Sequence, residues 1–267
     1  MSKEIVIYQE WGGLGDNLAH TTIPRLCHEH GYKCYLSRSN AINNPEIYSL
    51  LWENCEYIHG WSDVVSDKWK TNYAERNEPG WNHLRHIQVG YGFDEAPYMY
   101  PIISYTPNFI PELEDKTLVD LSGDHCYRYF PQFFNTENIT QIYYNLIKTI
   151  GVMNDDVRTL VMRPINYTAY GITDVNIPTM LNFGSLFDYC DALYSCKRFI
   201  GIDSGPGNLA SCIKNQFNTN CEIYILGMSF QLPPKKSDTY HYPNTNYIST
   251  DTGDVLKADT GEFITAN

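Results

Sequence analysis

The sequence has 267 residues and a formal net charge of −12, with 43% hydrophobic and 19% charged residues. This composition disfavours a disordered chain, except at the ends, and the length suits one large or two smaller α/β domains, each with its own core. The acidic balance disfavours nucleic acid as a partner without excluding it, because an acidic surface repels phosphates. The densest basic stretch, Pro233 to Lys236, is short.

The eight cysteines form no C-x-x-C pair and show no metal-ligand spacing. We therefore expect reduced thiols that pack as small hydrophobic side chains. No apolar run is long enough to span a bilayer, and Met1 to Glu4 leads straight into an apolar strand, which leaves no room for a signal peptide. These features predict a soluble, cytoplasmic protein.

The first half alternates between predicted strands and helices. In chain order we predict a strand (Ile5–Gln9), a helix (Asn17–Glu29), a strand (Lys33–Ser37), a helix from Pro45 to Trp52 and a strand (Tyr57–His59). This alternation favours a parallel sheet with crossover helices. From Asp63 to Pro111 the periodicity is lost, which is typical of a functional surface or a lid.

The second half repeats the alternation. We predict strands at Leu118–Leu121, Arg158–Arg163, Phe199–Ile202 and Glu222–Leu226, and helices at Thr136–Ile150, Ser185–Ser195 and Asn208–Ile213. The domain boundary is expected between Pro111 and Lys116, which gives domains 1–114 and 115–267. The polar stretch after Asp251 is expected to be frayed.

Two glycine-rich turns each join a strand to a helix. Phe199 to Ile213 reads FIGIDSGPGNLASCI, and Gly12 to Asp16 reads GGLGD. At such a turn, free backbone N–H groups and the positive end of the helix dipole converge where a phosphate can bind. Two such units far apart in the chain predict two α/β halves that face each other.

The same two stretches carry a resemblance to a known family. Gly12–Leu26 (GGLGDNLAHTTIPRL) resembles the N-terminal motif of the lipopolysaccharide heptosyltransferases of glycosyltransferase family 9. Ser185–Ile213 is similar to their C-terminal motif, in which a helix and a strand lead to Asp-[Ser/Thr]-Gly-x-x-His-Leu-Ala. The resemblance implies a GT-B fold, that is, an α/β protein with two Rossmann-like domains facing across a cleft.

The resemblance also assigns roles on the acceptor side. The N-terminal domain would bind the acceptor, with Asp16 as the base that takes the proton of the acceptor hydroxyl. Gly13, Gly15 and Thr22 belong to the same motif and are expected on the acceptor side. A carboxylate at a helix N-terminus is favoured by the helix dipole, which suits a proton acceptor.

The donor side is implied by the second motif. Asp203, Ser204 and Gly205 match the family segment that contacts the phosphates and sugar of the donor, together with the N–H groups from Gly205 to Asn208. Asn208 stands where the family has a histidine. An asparagine can still donate a hydrogen bond to a phosphate, but it cannot carry a positive charge, so this difference bears on the identity of the donor.

A further donor contact is implied after the strand that opens the second domain. The segment from Ser122 to Pro131 resembles a family context of the form Ser-x-x-Lys-x-Trp-Pro, which would make Arg128 the phosphate clamp and Ser122 a donor-binding residue. A guanidinium suits a diphosphate because its forked donors can bind two oxygens at once.

The resemblance, together with these residues, implies an inverting transferase that moves a sugar from a nucleotide-diphosphate sugar to a hydroxyl of a glycan or lipid-linked saccharide. The nucleotide sugar is a co-substrate, and no further cofactor is expected. No Asp-x-Asp follows a strand where it could hold a divalent ion, so we expect metal independence.

Plainer interpretations of the same residues stay open. Asp16 and Asp203 could only cap their helices, and Arg128 could be a surface charge. His20 is expected on a helix surface, and His83 and His86, like His125, show no zinc spacing and are treated as ordinary residues.

Three alternative functions also stay open. The acceptor could be a hydroxylated base in DNA, which the acidic balance disfavours. The chain could bind a nucleotide or sugar without turnover, since Asn208 replaces the family histidine. A dehydrogenase ranks last, because GGLGD lacks the third glycine of G-x-G-x-x-G and Ser37-Arg38-Ser39 ends the second strand without an acidic residue.

Overall fold

The computed structural model describes residues 3–42, 44–65, 82–120, 157–160, 180–181, 183–227, 242–249, 255–257 and 262–264. These residues belong to two compact units. The first lies within Met1–Thr106 and Lys236–Tyr242, and the second within Pro107–Lys235 and Pro243–Asn267.

The first unit is built on a parallel sheet. Its described strands pair in the order β1-β2-β3, and both pairings are parallel, as the alternating sequence predicts. In chain order the elements are β1 (Glu4–Ile7), α1 (Leu14–His20), α2 (Ile23–Glu29), β2 (Lys33–Ser37), α3 (Pro45–Tyr48), a π-helical turn (Ser49–Glu53), β3 (Ile58–Ser62) and α4 (His83–Gly90).

The predicted first helix is in fact two helices. α1 ends at His20, and α2 begins at Ile23 with Thr22 as its N-cap and Pro24 in its first turn. A proline has no N–H and crowds the preceding turn, so it is tolerated at the start of a helix but not inside one. The prediction of one continuous helix over Asn17–Glu29 was therefore wrong.

Helix α4 lies inside the segment predicted to be irregular, so that prediction was wrong for residues 83–90. The helix begins after Asn82, whose Oδ1 accepts a hydrogen bond from the Arg85 N–H at 3.0 Å. Leu84 and Ile87 are buried at helical spacing, but His83, His86 and Gln88 are buried as well. Polar residues on the buried face obscured the periodicity that indicates a helix.

The second unit holds a larger mixed sheet. Its described strands pair in the order β11-β10-β9-β8-β7-β4-β5-β6. In chain order the elements are a 3₁₀ turn (Pro111–Leu113), β4 (Thr117–Asp120), β5 (Val157–Leu160), β6 (Met180–Leu181), α5 (Leu186–Ser195), β7 (Arg198–Ile202), α6 (Gly205–Phe217), β8 (Glu222–Gly227), β9 (Asn246–Ser249), β10 (Val255–Lys257) and β11 (Glu262–Ile264).

The parallel part of this sheet has the strand order of a Rossmann fold. From β6 through β5, β4, β7 and β8 to β9, all neighbours are parallel, and the chain order is three-two-one-four-five-six. The chain reverses its direction of growth between β4 and β7. In open α/β sheets, ligands bind outside the carboxyl ends of the strands at such a switch point.

Two parts of the second unit differ from the prediction, namely its last two strands and helix α6. β10 and β11 pair antiparallel at the edge of the sheet, so the expectation of a frayed stretch after Asp251 was wrong for the residues of these strands. Helix α6 runs from Gly205 to Phe217 and is longer than the predicted Asn208–Ile213. The predicted helix Thr136–Ile150 lies outside the described residues.

The helices of both units are short. The longest described helix, α6, has 13 residues and buries Leu209, Cys212 and Ile213. Six of the seven cysteines among the described residues are buried, in keeping with thiols that pack as small hydrophobic groups. Within the described ranges, no helix combines the length and the apolar character needed to cross a membrane.

Candidate functional site

The N-terminus of α6 lies directly beyond β7 at the switch point of the second unit. Ser204 is the N-cap with an extended backbone, but its side chain makes no capping hydrogen bond. Its Oγ donates instead to the Ile202 carbonyl at 3.2 Å. The hydroxyl that most often satisfies a first-turn N–H is thus engaged elsewhere, which leaves this end of the helix suited to an anion.

The backbone groups at this helix end are fewer than the sequence suggested. We expected N–H groups from Gly205 to Asn208 to face the phosphates. However, the Asn208 N–H donates to the Ser204 carbonyl at 3.0 Å, and Pro206 has no N–H to offer. Gly205 and Gly207 therefore supply the N–H groups of the first turn.

The Asn208 side chain is the most informative group in this site. Asn208 is only 2% exposed, and its Nδ2 is buried without a hydrogen-bond partner. A buried polar group left unsatisfied costs about 1–3 kcal/mol, so such groups usually indicate a ligand, an ion or a function. An amide donor at the positive end of a helix is suited to a phosphate oxygen.

Gly207 allows α6 to sit directly on the sheet. A Cβ at this position would lie 2.8 Å from the Ile202 carbonyl oxygen and 2.8 Å from the Ile225 Cδ1. Such close helix–strand packing is the role of the last glycine in phosphate-binding strand–turn–helix units. The turn is also tied to β8, since the Asp203 N–H donates to the Leu226 carbonyl at 2.9 Å.

A buried carboxylate that the sequence did not reveal lies at the same switch point. Asp120 ends β4, is 1% exposed and pairs in register with Gly201. Its Oδ2 accepts a hydrogen bond from the Tyr189 hydroxyl at 2.7 Å. Burial, and then the charge of Asp120, raises the pKa of Tyr189 well above its usual range, so this tyrosine stays protonated. A polar residue ending a buried strand was the available signal.

In the first unit, the predicted base lies in the first turn of α1. The N-cap is Gly13, and Asp16 is the third residue of the helix, which begins earlier than predicted. A Cβ at Gly13 would lie 2.7 Å from the Asp16 Oδ2, so the carboxylate folds back over the N-cap. Gly15 and Asp16 are half-buried, whereas Thr22 is fully buried at the break between α1 and α2.

Asn17 anchors this turn. Its Nδ2 donates to the Gly13 carbonyl at 2.9 Å, and its Oδ1 accepts a hydrogen bond from the Trp52 Nε1 at 3.1 Å. The second bond ties α1 to the π-helical turn, and both residues are buried. Because Asn17 is adjacent to Asp16, this anchor fixes the backbone that carries the carboxylate.

Three buried histidines lie on α1 and α4, which pack against each other, and the expectation that His20 is a surface residue was wrong. His20 is 2% exposed, and its Nδ1 lies 2.8 Å from the Asp16 carbonyl oxygen. A carbonyl only accepts, so Nδ1 carries the proton in the neutral ring. Burial lowers the pKa of His20 to about 4, and burial together with His20 and His86 lowers the pKa of His83 to about 3.

Two predicted site residues, Ser122 and Arg128, lie outside the described residues. Of the others, Asp203, Ser204, Gly205 and Asn208 come together at the N-terminus of α6, in the second unit. Gly13, Gly15 and Asp16 come together at the start of α1, in the first unit, with Thr22 at its far end. In the part of the chain that the structure describes, no group of three or more His, Cys, Asp or Glu residues could hold a metal ion.

No protein-family model matches the chain, and no curated protein sequence matches it significantly. Solved structures do share its fold. The chain is similar to the iron-containing dodecameric glycosyltransferase TibC from enterotoxigenic E. coli H10407, with a TM-score of 0.57 and 15% identity over 91% of this chain. The chain covers 62% of the TibC chain.

Two further structures show the same likeness. One is TibC, described as a heptosyltransferase, in complex with ADP-D-beta-D-heptose, with a TM-score of 0.51 and 15% identity over 89% of this chain and 61% of that chain. The other is a glycosyl transferase family 9 protein from Veillonella parvula DSM 2008, with a TM-score of 0.55 and 8% identity over 93% of this chain and 85% of that chain.

These likenesses define the fold class. The predicted α/β architecture of GT-B type is confirmed, and the resemblance to glycosyltransferase family 9 is confirmed at the level of the fold. The identities of 8% to 15% extend the similarity no further than the fold. The activity of this chain is therefore argued from its own residues.

Proposed function

We propose that the chain is a glycosyltransferase that moves a sugar from a nucleoside-diphosphate sugar to an acceptor hydroxyl. The observation that carries this proposal is the unpartnered Nδ2 of the buried Asn208 at the N-terminus of α6. The helix dipole and this amide favour an anionic ligand at the switch point of a Rossmann sheet, where nucleotides bind in this fold class.

The donor is held by the second unit in this proposal. The Gly205 and Gly207 N–H groups and the Asn208 Nδ2 donate to diphosphate oxygens, and Ser204, Asp203, Ser122 and Arg128 complete the site. Together these donors offset the negative charge that develops on the departing nucleoside diphosphate. TibC in complex with ADP-D-beta-D-heptose is a solved example of this fold with a nucleotide sugar.

The base is supplied by the first unit, on the acceptor side. Asp16 takes the proton of the acceptor hydroxyl, and that oxygen forms a bond to the anomeric carbon as the bond to the diphosphate breaks. The electron pair leaves with the nucleoside diphosphate. A single displacement of this kind inverts the configuration at the anomeric carbon.

We also propose that transfer does not depend on a metal ion. The residues proposed for the donor site already offset the charge of the leaving group, which is the role a divalent ion would otherwise play. TibC is described as iron-containing. The described residues of this chain offer no cluster that fits a bound iron, so we assign no step to one.

The donor site is tested by thermal unfolding with UDP, GDP, ADP and CDP sugars, in EDTA. A ligand that binds only the folded state raises the melting temperature. We expect one nucleoside diphosphate series to raise it and NAD to have no effect. The charge of Asn208→Asp should repel the diphosphate and weaken donor binding at least tenfold, whereas Asn208→His should retain it.

The matched control for Asn208→Asp is Gln216→Glu, on the same helix but away from its N-terminus, because a carboxylate can keep the acceptor role of the Gln216 Oε1. It should leave donor affinity unchanged, which separates the effect at the site from a general effect of added charge on α6. A melting temperature that responds to no nucleotide sugar, or that responds equally in wild type and Asn208→Asp, would contradict the proposal.

A further inference from the structure

The segments that follow β1, β2 and β3 lie side by side at the carboxyl edge of the sheet in the first unit. Gln9 donates from its backbone to the Asn40 Oδ1 at 3.0 Å and from its Nε2 to the Ala41 carbonyl at 2.9 Å. Arg38 donates from its backbone to the Ser62 carbonyl at 2.8 Å. These bonds join the three segments into one surface, which we call the carboxyl-edge surface.

This surface carries exposed aromatic side chains. Trp11 is 51% exposed and lies two residues before the N-cap of α1, five residues before Asp16. Trp61 is 42% exposed, lies near the end of β3 and stacks on Tyr48 with ring centroids 5.5 Å apart. β1 and β3 are separated by two strand spacings, about 10 Å, and the two tryptophans lie toward the carboxyl ends of these strands.

Most of the exposed large hydrophobic side chains belong to this surface. Within the described ranges, those side chains are Trp11, Trp61, Val64, Val65, Met99 and Phe109. The first four follow or end strands of the same sheet, whereas the rest lie elsewhere in the chain. Single exposed hydrophobic residues are ordinary, but a group of them on one edge indicates a binding surface.

Among the described residues, the charges of this surface are mostly negative. Its described carboxylates are Glu10, Asp16 and Asp63, and its described cation is Arg38. The Arg38 Nε is paired with the Asp63 Oδ1 at 3.2 Å. A phosphorylated or otherwise acidic acceptor would meet net repulsion here, whereas an uncharged sugar would not.

We infer that the acceptor is an uncharged saccharide that stacks on Trp11 and Trp61. The apolar face of a sugar ring packs on an indole, and its hydroxyls remain available for the polar groups at the rim. Stacking on Trp11 brings the ring to the segment that leads to Asp16. This inference rests on the proposed function, because it specifies the acceptor of the same reaction.

The inference is tested by binding the protein to an array of neutral, phosphorylated and uronic-acid glycans, without nucleotide. We expect binding to neutral glycans, weakened at least tenfold by Trp11→Ala and by Trp61→Ala and largely retained by Trp11→Phe. Phe109→Ala is the matched control, since Phe109 is equally exposed but lies in the second unit. It should leave glycan binding unchanged.

The result that overturns the inference is binding confined to acidic glycans, binding to no glycan, or neutral-glycan binding unchanged in both tryptophan variants. Failure of the proposed function would look different, because it would remove the thermal shift by nucleotide sugars. Trp11→Ala and Trp61→Ala should leave that shift as it is in wild type, so the two failures can be told apart.

Discussion

Asn208 shows how a single side chain can indicate a ligand. Its amide occupies the position of the histidine in the family motif, is buried, and has an Nδ2 without a partner. The motif identified this position from sequence. Only the structure shows which backbone N–H groups at this helix end are already hydrogen-bonded. The Asn208 N–H donates to the Ser204 carbonyl and Pro206 has no N–H, so the Asn208 side chain offers this helix end a donor in addition to the N–H groups of Gly205 and Gly207.

The close packing of Gly207 predicts the effect of a single substitution on stability. A Cβ at Gly207 would be forced to 2.8 Å from the Ile202 carbonyl oxygen, so Gly207→Ala should push α6 away from β7 and β8. We expect a loss of about 1–3 kcal/mol in the free energy of unfolding, measured by urea denaturation, and weaker nucleotide binding.

The control is Gly184→Ala, because a Cβ at Gly184 would lie 3.4 Å from the Asp188 Oδ2, which is close to ordinary contact. Its stability should stay within about 0.5 kcal/mol of wild type, as for most substitutions that disturb no special feature. Equal stability of the two variants would contradict the close packing of α6 on the sheet.

At the scale of elements, the helices and strands that could be predicted are those marked by a pattern within a short stretch of sequence. The buried strand β7, its glycine turn and the existence of the next helix were predicted, because they are contiguous in sequence, although the helix begins at Gly205 rather than at the predicted Asn208. The break between α1 and α2 was missed although Pro24 marks it. β10 and β11 were missed because an edge hairpin depends on pairing with β9, which the local sequence does not encode.

The site follows the same division. Asp16 and Asn208 were predicted as site residues because each lies within a short motif. Asp120 and Tyr189 are 69 residues apart in the chain, and their hydrogen bond depends on α5 packing beside β4. Buried His20 was predicted at the surface because neither charge nor periodicity distinguishes a buried neutral histidine from an exposed one.

The packing of α1 against α4 should make the first unit sensitive to acid. His20 has a pKa lowered to about 4 in the folded protein, against 6.5 when exposed. The unfolded chain therefore binds more protons between these values, so stability is fully present above pH 6.5 and falls as the pH is lowered toward 4. For His20 alone the loss between pH 7.5 and pH 5 is about 2 kcal/mol.

The variant that tests this effect is His20→Asn, whose Nδ2 can still donate to the Asp16 carbonyl. Thermal unfolding at pH 7.5 and pH 5 should show a smaller difference between the two pH values than in wild type. The comparison is made within each variant, so a constant loss of stability does not affect it. His28→Asn, at an exposed position on α2, should keep the wild-type difference. An unchanged difference in His20→Asn would show that this histidine is not responsible.

At the scale of the whole molecule, the fold was predictable because two separate strand–glycine–helix motifs predict two Rossmann-like units. The structure has two such units, and the solved glycosyltransferases share the architecture at 8% to 15% identity. The proposal assigns the base to the first unit and the donor to the second, with 1–114 and 115–267 as the functional halves. Its central claim is that these two units act in one transfer reaction.

The most direct test of that claim measures turnover and donor binding in Asp16→Asn, with release of nucleoside diphosphate in the presence of neutral glycans as the assay. Removal of a general base should lower kcat by about 10²–10⁴-fold, while the donor Kd stays at the wild-type value. Glu53→Gln, at an exposed acidic position of the same unit, should leave both quantities unchanged. Wild-type turnover in Asp16→Asn, or loss of donor binding together with turnover, would contradict the account.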